Sequence, residues 1–598
     1  MSIKACCFSF KLIDYLQYLP SIGYFCMIIE LLNKTMKSKI VICSLLLFSA
    51  FSISAQTDIY SEVEGYGVSE KLNSYKKVRL TADLSHLNQA EKDALYFMIE
   101  AAKAVNPIFW KQTCGDDYQK LLDGSSGDLK SFIELNYGPW DRLNDDAPFV
   151  KGFGPKPLGA NYYAPNLDPE KLKELPEEEL NNQYSVLKTN EMGDLEAVGY
   201  SREYRENMEG IIDNLFKAHE RLIDSDMNYA RFLMERMNCL GQDNYIPSDI
   251  EWLKQTSNKL DIIIGPIESY DDKLHGIRTS FEAYVMVRDP KWSKKLAKYL
   301  KELPNLQKNL PVDSAYKTET PGGSGDQLAV FDAVYYAGDC NSGSKTIAVN
   351  LPNDEQIQKE EGTRRSQIRN VMKAKFDEIV VPISKKMIVQ DQQKYVNFNS
   401  FFNNVMFHEV AHGLGIKNLV GSEGTVKSAL GTLHNTIEEC KADVLGLWMV
   451  TQLVDKKELE GVLDDYYVTF VSSIFRSVRF GAGSAHGKAN MIVYNTLVDQ
   501  GAIKRTKNGL YAVDVNKMRK SIEDLAGRLL KHQGDGNAIS VGKYVAQYAA
   551  VSSILKTDIS EINKQNIPVD IRFEQGQEVL GLSVPKPVEH KPRTPENK

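Results

Sequence analysis

The stretch FHEVAHGLGIKN, residues 407–418, constrains the fold more than any other part of the sequence. It places His408 and His412 four residues apart, with Glu409 directly after the first histidine. On an α-helix, residues with that spacing project from one face, so the two imidazoles can bind one metal ion together. Because two histidines do not complete such a site, the fold must bring at least one more ligand to this helix.

Two known patterns supply a third ligand to a helix of this kind. In the metzincin pattern, HExxHxxGxxH, the ligand is a further histidine, and Gly415 does occupy the glycine position. Asn418 stands where that histidine belongs, and a neutral amide is a poor zinc ligand, so this pattern fails. In the gluzincin pattern the ligand is a glutamate on a later helix, and the sequence must be searched for one.

The stretch HNTIEECKADVLGLWMV, residues 434–450, predicts that later helix and carries Glu438, Glu439 and Asp443. Glu439 and Asp443 are four residues apart, so one helical face presents both carboxylates. One of them can bind the metal while the other accepts the N–H of a metal-bound imidazole. An acidic cluster can also be a solvated helix face, but the neighbouring residues are mostly apolar. The sequence therefore favours the gluzincin pattern, with Glu409 free to act as a general base.

Further motifs follow the same order as in a known family. EECKAD (438–443) resembles the EECR-A-[ED] motif of the dipeptidyl peptidase III family of zinc exopeptidases, and the chain is interpreted as a bacterial, exported member. The resemblance implies one Zn²⁺ per chain, bound by His408, His412 and Glu439. It also implies that Glu438 and Asp443 contact the zinc ligands without binding the zinc themselves.

Three other segments carry the resemblance into the substrate site. GPIESY (265–270) is similar to the family's E-S-Y segment, which implies that Glu268 binds the substrate's N-terminal amine and Tyr270 acts near the scissile bond. VNLPND (349–354) resembles the segment whose asparagines hold the substrate, here Asn350 and Asn353. SAHGKAN (484–490) resembles A-H-x-x-A-R, which implies that His486 supports the transition state.

Three departures from the family pattern stand out. Most well-studied members have HExxGH, whereas this chain has the shorter HExxH, a form that some bacterial and plant members share. The spacing from His412 to Glu439 is short for the family, which implies a trimmed loop. Asn490 replaces the arginine of A-H-x-x-A-R, which predicts a weaker contact to the substrate.

The predicted fold class is α+β, with two lobes and a cleft between them. The chain of 598 residues exceeds what one hydrophobic core usually serves. Strand-like segments between residues 260 and 354 place a mixed lobe at 56–354, and helical patterns place a mainly helical, zinc-binding lobe at 355–533. Residues 534–583 form the C-terminal part of the fold, and the Pro- and charge-rich tail, 584–598, is predicted to be disordered.

The N-terminal region indicates export. MKSKIVICSLLLFSAFSISAQ (36–56) has a basic start, an apolar run and small residues ending at Ala55, which is the layout of a signal peptide at 36–55. We therefore expect a periplasmic or secreted protein that is not stably inserted in a membrane after cleavage. Residues 1–35 precede this signal, and we interpret them as an artefact of a start at Met1 rather than Met36. If they are translated, residues 18–32 form a second hydrophobic segment.

The functional hypothesis is a zinc metallopeptidase that cleaves oligopeptides near their N-terminus and releases dipeptides. The net charge of −7, without a basic stripe, argues against nucleic acid as a partner. Two alternatives remain open: a zinc aminopeptidase or other zinc hydrolase of the same fold, and a secreted peptide-binding protein with structural zinc. The sequence does not predict the oligomeric state.

Overall fold

The computed structural model describes residues 58–317 and 328–587, except for 166 and 168. All contacts given below lie within the compact unit that begins at Tyr60. The predicted signal peptide at 36–55 and the segment before it lie outside the described residues, as does the predicted tail from residue 588 onward. In the part of the chain that is described, no helix is both long and apolar enough to cross a membrane.

Thirteen strands occur among the described residues, and five of them form the main sheet. In chain order the strands are β1 (Tyr75–Arg79), β2 (Trp140–Asp141), β3 (Ala147–Pro148), β4 (Ser185–Thr189), β5 (Leu195–Gly199), β6 (Leu260–Glu268), β7 (Ser280–Arg288), β8 (Leu328–Gly338), β9 (Ala348–Leu351), β10 (Arg364–Ile368), β11 (Ile503–Arg505), β12 (Tyr511–Val513) and β13 (Asp570–Glu574).

The main sheet has the order β6-β7-β8-β10-β9, so β6 and β9 are its edge strands. Every pairing in it is antiparallel except that of β8 with β10. Every residue of β7 is buried, which explains why its sequence, SFEAYVMVR, is rich in β-branched and aromatic residues on both faces. The strand-like segments of the sequence correspond to β6, β7, β8 and β9.

Strand β10 lies inside the range predicted to be mainly helical, and its sequence, RRSQI, does not have a strand-like pattern. Arg364 is fully buried there because its guanidinium pairs with Asp261 at 2.7 Å and lies 4.4 Å above the Trp252 ring. A buried cation of this kind needs a partner that is remote in the sequence, so the polar run gives no local sign of a central strand.

Most helices pack in two large hydrophobic cores, which correspond to the two predicted lobes, and a smaller third core lies in an N-terminal extension of the mixed lobe. Those of the mixed lobe and its N-terminal extension are Val68–Asn73, Gln89–Lys103, Val105–Cys114, Tyr118–Asp123, Gly127–Asn136, Glu177–Leu180, Tyr200–Glu203, Arg205–Leu222, Met227–Leu240, Ile246–Leu253, Glu355–Glu360, Arg369–Lys375 and Gln577–Leu580. Those of the helical lobe are Pro290–Leu300, Leu303–Lys308, Val381–Met387, Phe398–Ala411, Val426–Leu430, His434–Asp455, Leu463–Ser477, Ala485–Asp499, Val515–Asp535, Ala538–Tyr548 and Ser553–Asn563.

The two cores cross the predicted boundary at residue 355. Buried residues of the segment 299–310 belong to the helical core, whereas Ile357 and Ile368 belong to the mixed one. Near the C-terminus the chain returns to the mixed lobe, where β13 pairs in parallel with β1. Each lobe is therefore built from more than one stretch of chain.

Three helices of the helical lobe position the candidate site. We call Phe398–Ala411 the motif helix, His434–Asp455 the acidic helix and Ala485–Asp499 the His486 helix. Gly446 lets the acidic helix approach the motif helix closely, since a Cβ at this position would lie 2.8 Å from the backbone nitrogen of His408. Glycine at this contact brings the carboxylates of one helix within reach of the histidines of the other.

Candidate functional site

The motif helix ends directly before its second histidine, His412. Asn397 caps its start by accepting a hydrogen bond from the Ser400 amide, and His412 follows its last residue. The buried ammonium of Lys441 donates to the carbonyls of Ala411 and Leu414 at 2.9 and 3.0 Å, which stabilises the chain at the end of the helix. His412 is thus held at a terminus that the acidic helix itself stabilises.

The acidic helix orients both imidazoles of the motif helix. Asp443 Oδ1 lies 2.7 Å from His408 Nδ1, and Glu438 Oε1 lies 2.9 Å from His412 Nδ1. A carboxylate at Nδ1 favours the tautomer that carries its proton there and leaves the lone pair on Nε2. Both Nε2 atoms are therefore prepared to act as metal ligands.

The three imidazoles converge on one carboxylate oxygen. Nε2 of His408, His412 and His486 lies 3.3, 3.8 and 3.1 Å from Glu439 Oε2, respectively. This oxygen is buried and has no hydrogen-bond partner among the described residues. Ligand atoms of His408, Glu439 and His486 all lie within 4.8 Å of one another. Imidazole nitrogens around a carboxylate oxygen are a donor set that fits zinc.

The charges around the site favour a cation. Burial lowers the pKa of the His408 imidazole, but Asp443 and Glu439 outweigh burial and raise that pKa well above its ordinary value. Burial raises the pKa of Glu439, but the surrounding histidines, His408 first, bring it below the ordinary value. The carboxylates thus favour positive charge at His408, and a metal cation can supply that charge instead.

Further side chains that the sequence did not reveal support the carboxylates. Asn490 donates a hydrogen bond to Asp443 Oδ2 at 2.7 Å, so the residue that departs from the family arginine helps to fix the partner of His408. Gln533 donates to Glu438 Oε2 at 2.8 Å, and Lys441 pairs with Glu438 Oε1 at 2.8 Å. No local pattern identifies Gln533 as a partner, since its helix begins more than 70 residues after Glu438.

Glu409 faces the cleft rather than the carboxylate network. It lines the same cavity as His408, Asp443 and His486. Arg365, on β10 of the mixed lobe, lies within electrostatic range of Glu409 and Glu438; burial lowers the pKa of its guanidinium, and the two carboxylates oppose that shift. Glu409 is thus placed beside the candidate metal ligands and open to a substrate.

A second group of predicted residues gathers at the end of β6 in the mixed lobe. Asn353 Nδ2 donates to the Ile267 carbonyl at 3.1 Å and to Glu268 Oε1 at 3.4 Å. Glu268, followed by burial, raises the pKa of the Tyr270 phenol to about 12, and 75% of Tyr270 is exposed. Asn350 is exposed on edge strand β9. We call Glu268, Tyr270, Asn350 and Asn353 the amine clamp. In the described ranges, no hydrogen bond or ion pair joins it to the metal-site residues.

Buried ion pairs hold the loop that follows Tyr270. Arg142 binds Asp271 through two hydrogen bonds of 2.8 and 2.9 Å, and Lys156 adds a third at 2.7 Å. All three side chains are largely buried. The amine clamp therefore has a rigid base and an exposed tip.

A cleft lies between the two lobes at the candidate metal site. The cavity there has a volume of about 390 Å³. Its helical-lobe side carries His408, Glu409 and His486, and its mixed-lobe side is residues 344–348, which lead into β9. The four residues of the amine clamp do not line this cavity, but β9 leads from its edge at Ala348 to Asn350.

Comparisons with known proteins identify the family. A model of peptidase family M49 matches residues 178–423, which include the motif helix and the amine clamp. The Nudix hydrolase 3 protein of Arabidopsis thaliana is 30% identical over 585 residues, covering 87% of this chain and 75% of its own length. The structure of dipeptidyl peptidase III from Caldithrix abyssi is 32% identical, with a TM-score of 0.80 over 85% of this chain and 99% of that one. The chain belongs to the dipeptidyl peptidase III family.

A second structure of the dipeptidyl peptidase III family agrees. Dipeptidyl-peptidase III from Corallococcus sp. strain EGB is also 32% identical, with a TM-score of 0.72 over 85% of this chain and 96% of that one. The family resemblance and the two-lobed α+β fold predicted from the sequence are confirmed. Family membership also makes the chain a peptidase, which acts on peptides. The roles of individual site residues stay predictions.

Proposed function

We propose that this protein is a zinc metallopeptidase that releases dipeptides from the N-terminus of oligopeptides. The observation that carries the proposal is the convergence of three imidazoles on the buried, otherwise unpartnered Oε2 of Glu439. Membership of the dipeptidyl peptidase III family supports the peptidase activity.

His408, His412 and Glu439 would hold one Zn²⁺ ion. When bound, zinc would polarise the scissile carbonyl and lower the pKa of the attacking water. Asp443 and Glu438 keep the two Nδ1 atoms engaged, so that both Nε2 atoms stay directed at the site.

The protein's own side chains transfer the proton and stabilise the charge that develops on the substrate. Glu409 accepts a proton from the attacking water and passes it to the leaving amine. His486, 67% of whose side chain is exposed, and Tyr270 donate hydrogen bonds to the oxyanion. Tyr270 stands on the opposite lobe, so the substrate must bridge the cleft before both donors act together.

The amine clamp sets the position of the cut. The carboxylate of Glu268 binds the substrate's terminal ammonium, and the side-chain amides of Asn350 and Asn353 bind its first residues. Because these groups lie on or directly after β6 and β9, the bond presented to Glu409 lies at a constant distance from the N-terminus.

Mass spectrometry of the fragments of an unlabelled oligopeptide tests the proposal. We expect successive dipeptides with the zinc-loaded protein, and none after chelation. Release of single amino acids would instead indicate an aminopeptidase. Binding without any hydrolysis would favour the peptide-binding alternative and overturn the proposal.

Metal analysis separates the two candidate histidines. His412 is held by Glu438, whereas His486 contacts the site from the exposed side. We expect His412→Ala and Glu439→Ala to lose zinc and His486→Ala to retain zinc but lose turnover. The reverse result for the two histidines would make His486 the third ligand.

We also propose export through the segment 36–55. Its basic, apolar and small-residue regions support a signal peptide. The N-terminus of the mature protein, purified from the native cell, is expected to be Gln56, and a mature chain that retains residues 36–55 in the cytoplasm would contradict export.

A further inference from the structure

The cavity at the candidate metal site is also lined by three basic side chains. Lys345, Lys375 and Arg476 form this group, which we call the cationic cluster. Lys345, Lys375 and Arg476 all line the same cavity as His408 and Glu409. Asp570 is the carboxylate that packs against them.

Asp570 is already saturated by its neighbours. Lys375 Nζ lies 2.9 and 3.0 Å from its two oxygens. The Ser344 hydroxyl and the Lys345 amide donate to Oδ2 at 2.7 and 3.0 Å. The Lys345 ammonium donates instead to the Asn341 carbonyl. Three cations therefore share one carboxylate.

Arg476 is the residue of the cationic cluster that remains available to bind an anion. In the part of the chain that the structure describes, its guanidinium has no hydrogen bond or ion pair to another residue. It lies on the helix Leu463–Ser477 and is half-buried in the cavity wall, where Asp570 acts on it only through its longer-range field. A half-buried guanidinium without a partner carries desolvation that a ligand anion can offset.

The cluster and the amine clamp lie at opposite ends of one segment. Residues 344–353 run from Ser344 and Lys345, beside the cations, to Asn353, beside Glu268. Residues 344–348 of this segment face His408 and Glu409 across the cavity. A peptide whose amine is bound at Glu268 and which crosses the candidate metal site would thus direct its other end toward the cationic cluster.

We infer that the cationic cluster, through Arg476, binds a carboxylate on the leaving side of the substrate. This inference rests on the proposed function. The same chemistry could come from the terminal carboxylate or from an acidic side chain in that part of the peptide.

The charge state of the cluster agrees with an anion as its missing partner. Burial lowers the pKa of the Lys345 ammonium to about 7, and it also lowers the pKa of Lys375 and of Arg476. Each of these shifts reflects positive charge that the surroundings do not fully compensate. A carboxylate in the cavity would compensate it.

The segment also limits the length of peptide that can use the cluster. Residues 345–353 cover at most roughly 26 Å, at about 3.3 Å per residue in an extended strand. A peptide of up to about eight residues can therefore place its amine at Glu268 and its terminal carboxylate near Arg476. In a longer peptide the terminal carboxylate lies beyond the cluster.

The test compares neutral peptides that differ only in a free or an amidated C-terminus, at lengths of four, six, eight and twelve residues. The measurement is kcat/KM for the first fragment released by the zinc-loaded full chain. We expect the free acid to be preferred roughly tenfold at the short lengths, the size of one charge-assisted contact, with no preference at twelve. A third arm, an amidated peptide with one glutamate near its C-terminus, reports binding through a side chain.

Variants then assign any preference to the cluster. Arg476→Gln should bring the acid-to-amide ratio close to one, Arg476→Lys should restore part of it, and Arg476→Glu should reverse it. Lys386→Gln removes the same charge from an exposed position outside the cavity and should leave the ratio unchanged. Thermal unfolding and zinc content show whether each variant is folded.

The outcomes distinguish this inference from the proposed function. Equal rates on acid, amide and glutamate peptides at every length overturn the inference while the peptidase assignment stands, and this comparison needs no variant. An unchanged ratio in folded Arg476→Gln also overturns it. Failure to cleave any of the peptides overturns the proposed function and this inference together.

Discussion

The two halves of the cleft differ in how far folding alone completes them. In the helical lobe, the imidazoles of His408 and His412 are each fixed by a carboxylate, and the carboxylates are fixed in turn by Asn490 and Gln533. In the mixed lobe, the tip of the amine clamp is exposed, and one hydrogen bond of 3.4 Å joins Asn353 to Glu268.

This difference matches what the proposed function would require of each half. Bond cleavage needs groups held at fixed distances, and a layered network of buried hydrogen bonds provides that before the substrate arrives. Recognition of a peptide needs donors and acceptors that water can leave and the peptide can enter. The helical half is therefore preorganised, and under the proposed function the substrate would complete the mixed half.

Among the variants that compare the two halves of the cleft, we expect Glu409→Gln to have the largest effect. Without the general base we expect kcat to fall roughly 10²- to 10⁴-fold, with zinc content and thermal stability unchanged. Steady-state kinetics and metal analysis check this outcome. Glu423→Gln, the same change at an exposed position, is the control. Retention of more than a tenth of the activity would remove Glu409 as the base.

Asp443→Ala tests whether the support behind the ligands matters. The change leaves His408 without its Nδ1 partner, so we expect zinc affinity to fall about 10- to 100-fold. Competition with a chelator measures that affinity, and Asp499→Ala, at an exposed position, is the control. If affinity does not change, the helical half owes its preorganisation to backbone position alone.

Gly446→Ala tests the close contact between the motif and acidic helices. The added methyl group would lie 2.8 Å from the His408 nitrogen, and overpacking of this kind costs about 1–3 kcal/mol. We expect a lower melting temperature and weaker zinc binding. Gly210→Ala is the matched control, because its methyl group would meet Ala104 at an ordinary 3.6 Å. Equal melting temperatures for both variants would show that the helices adjust freely.

Asn353→Ala should have the smallest effect, and only on recognition. Loss of one solvent-exposed hydrogen-bonding group is expected to raise KM about two- to tenfold while kcat and zinc content stay near their original values. A fall in kcat with unchanged KM would mean that the mixed half is preorganised too.

The parts of the fold that the sequence predicts are those with a local periodic pattern. The motif and acidic helices follow from their apolar spacing, and β6 and β7 from runs of β-branched and aromatic residues. The sequence does not predict strand β10, because its buried Arg364 is paired with Asp261, which lies more than 100 residues away. The boundary at residue 355 fails to separate the cores for a related reason, since both cores recruit helices and strands from either side of it.

By itself, the sequence determined which chemical groups are available and how they are spaced along each helix: two histidines one turn apart, a base beside the first, and acids one turn apart on a later helix. Only the tertiary structure decided which imidazole nitrogen faces the site, which oxygen of Glu439 lacks a partner, and that Lys345, Lys375 and Arg476 share Asp570. The physical reason is that side-chain spacing on a helix is set by local backbone geometry, whereas buried charges are matched across the whole chain.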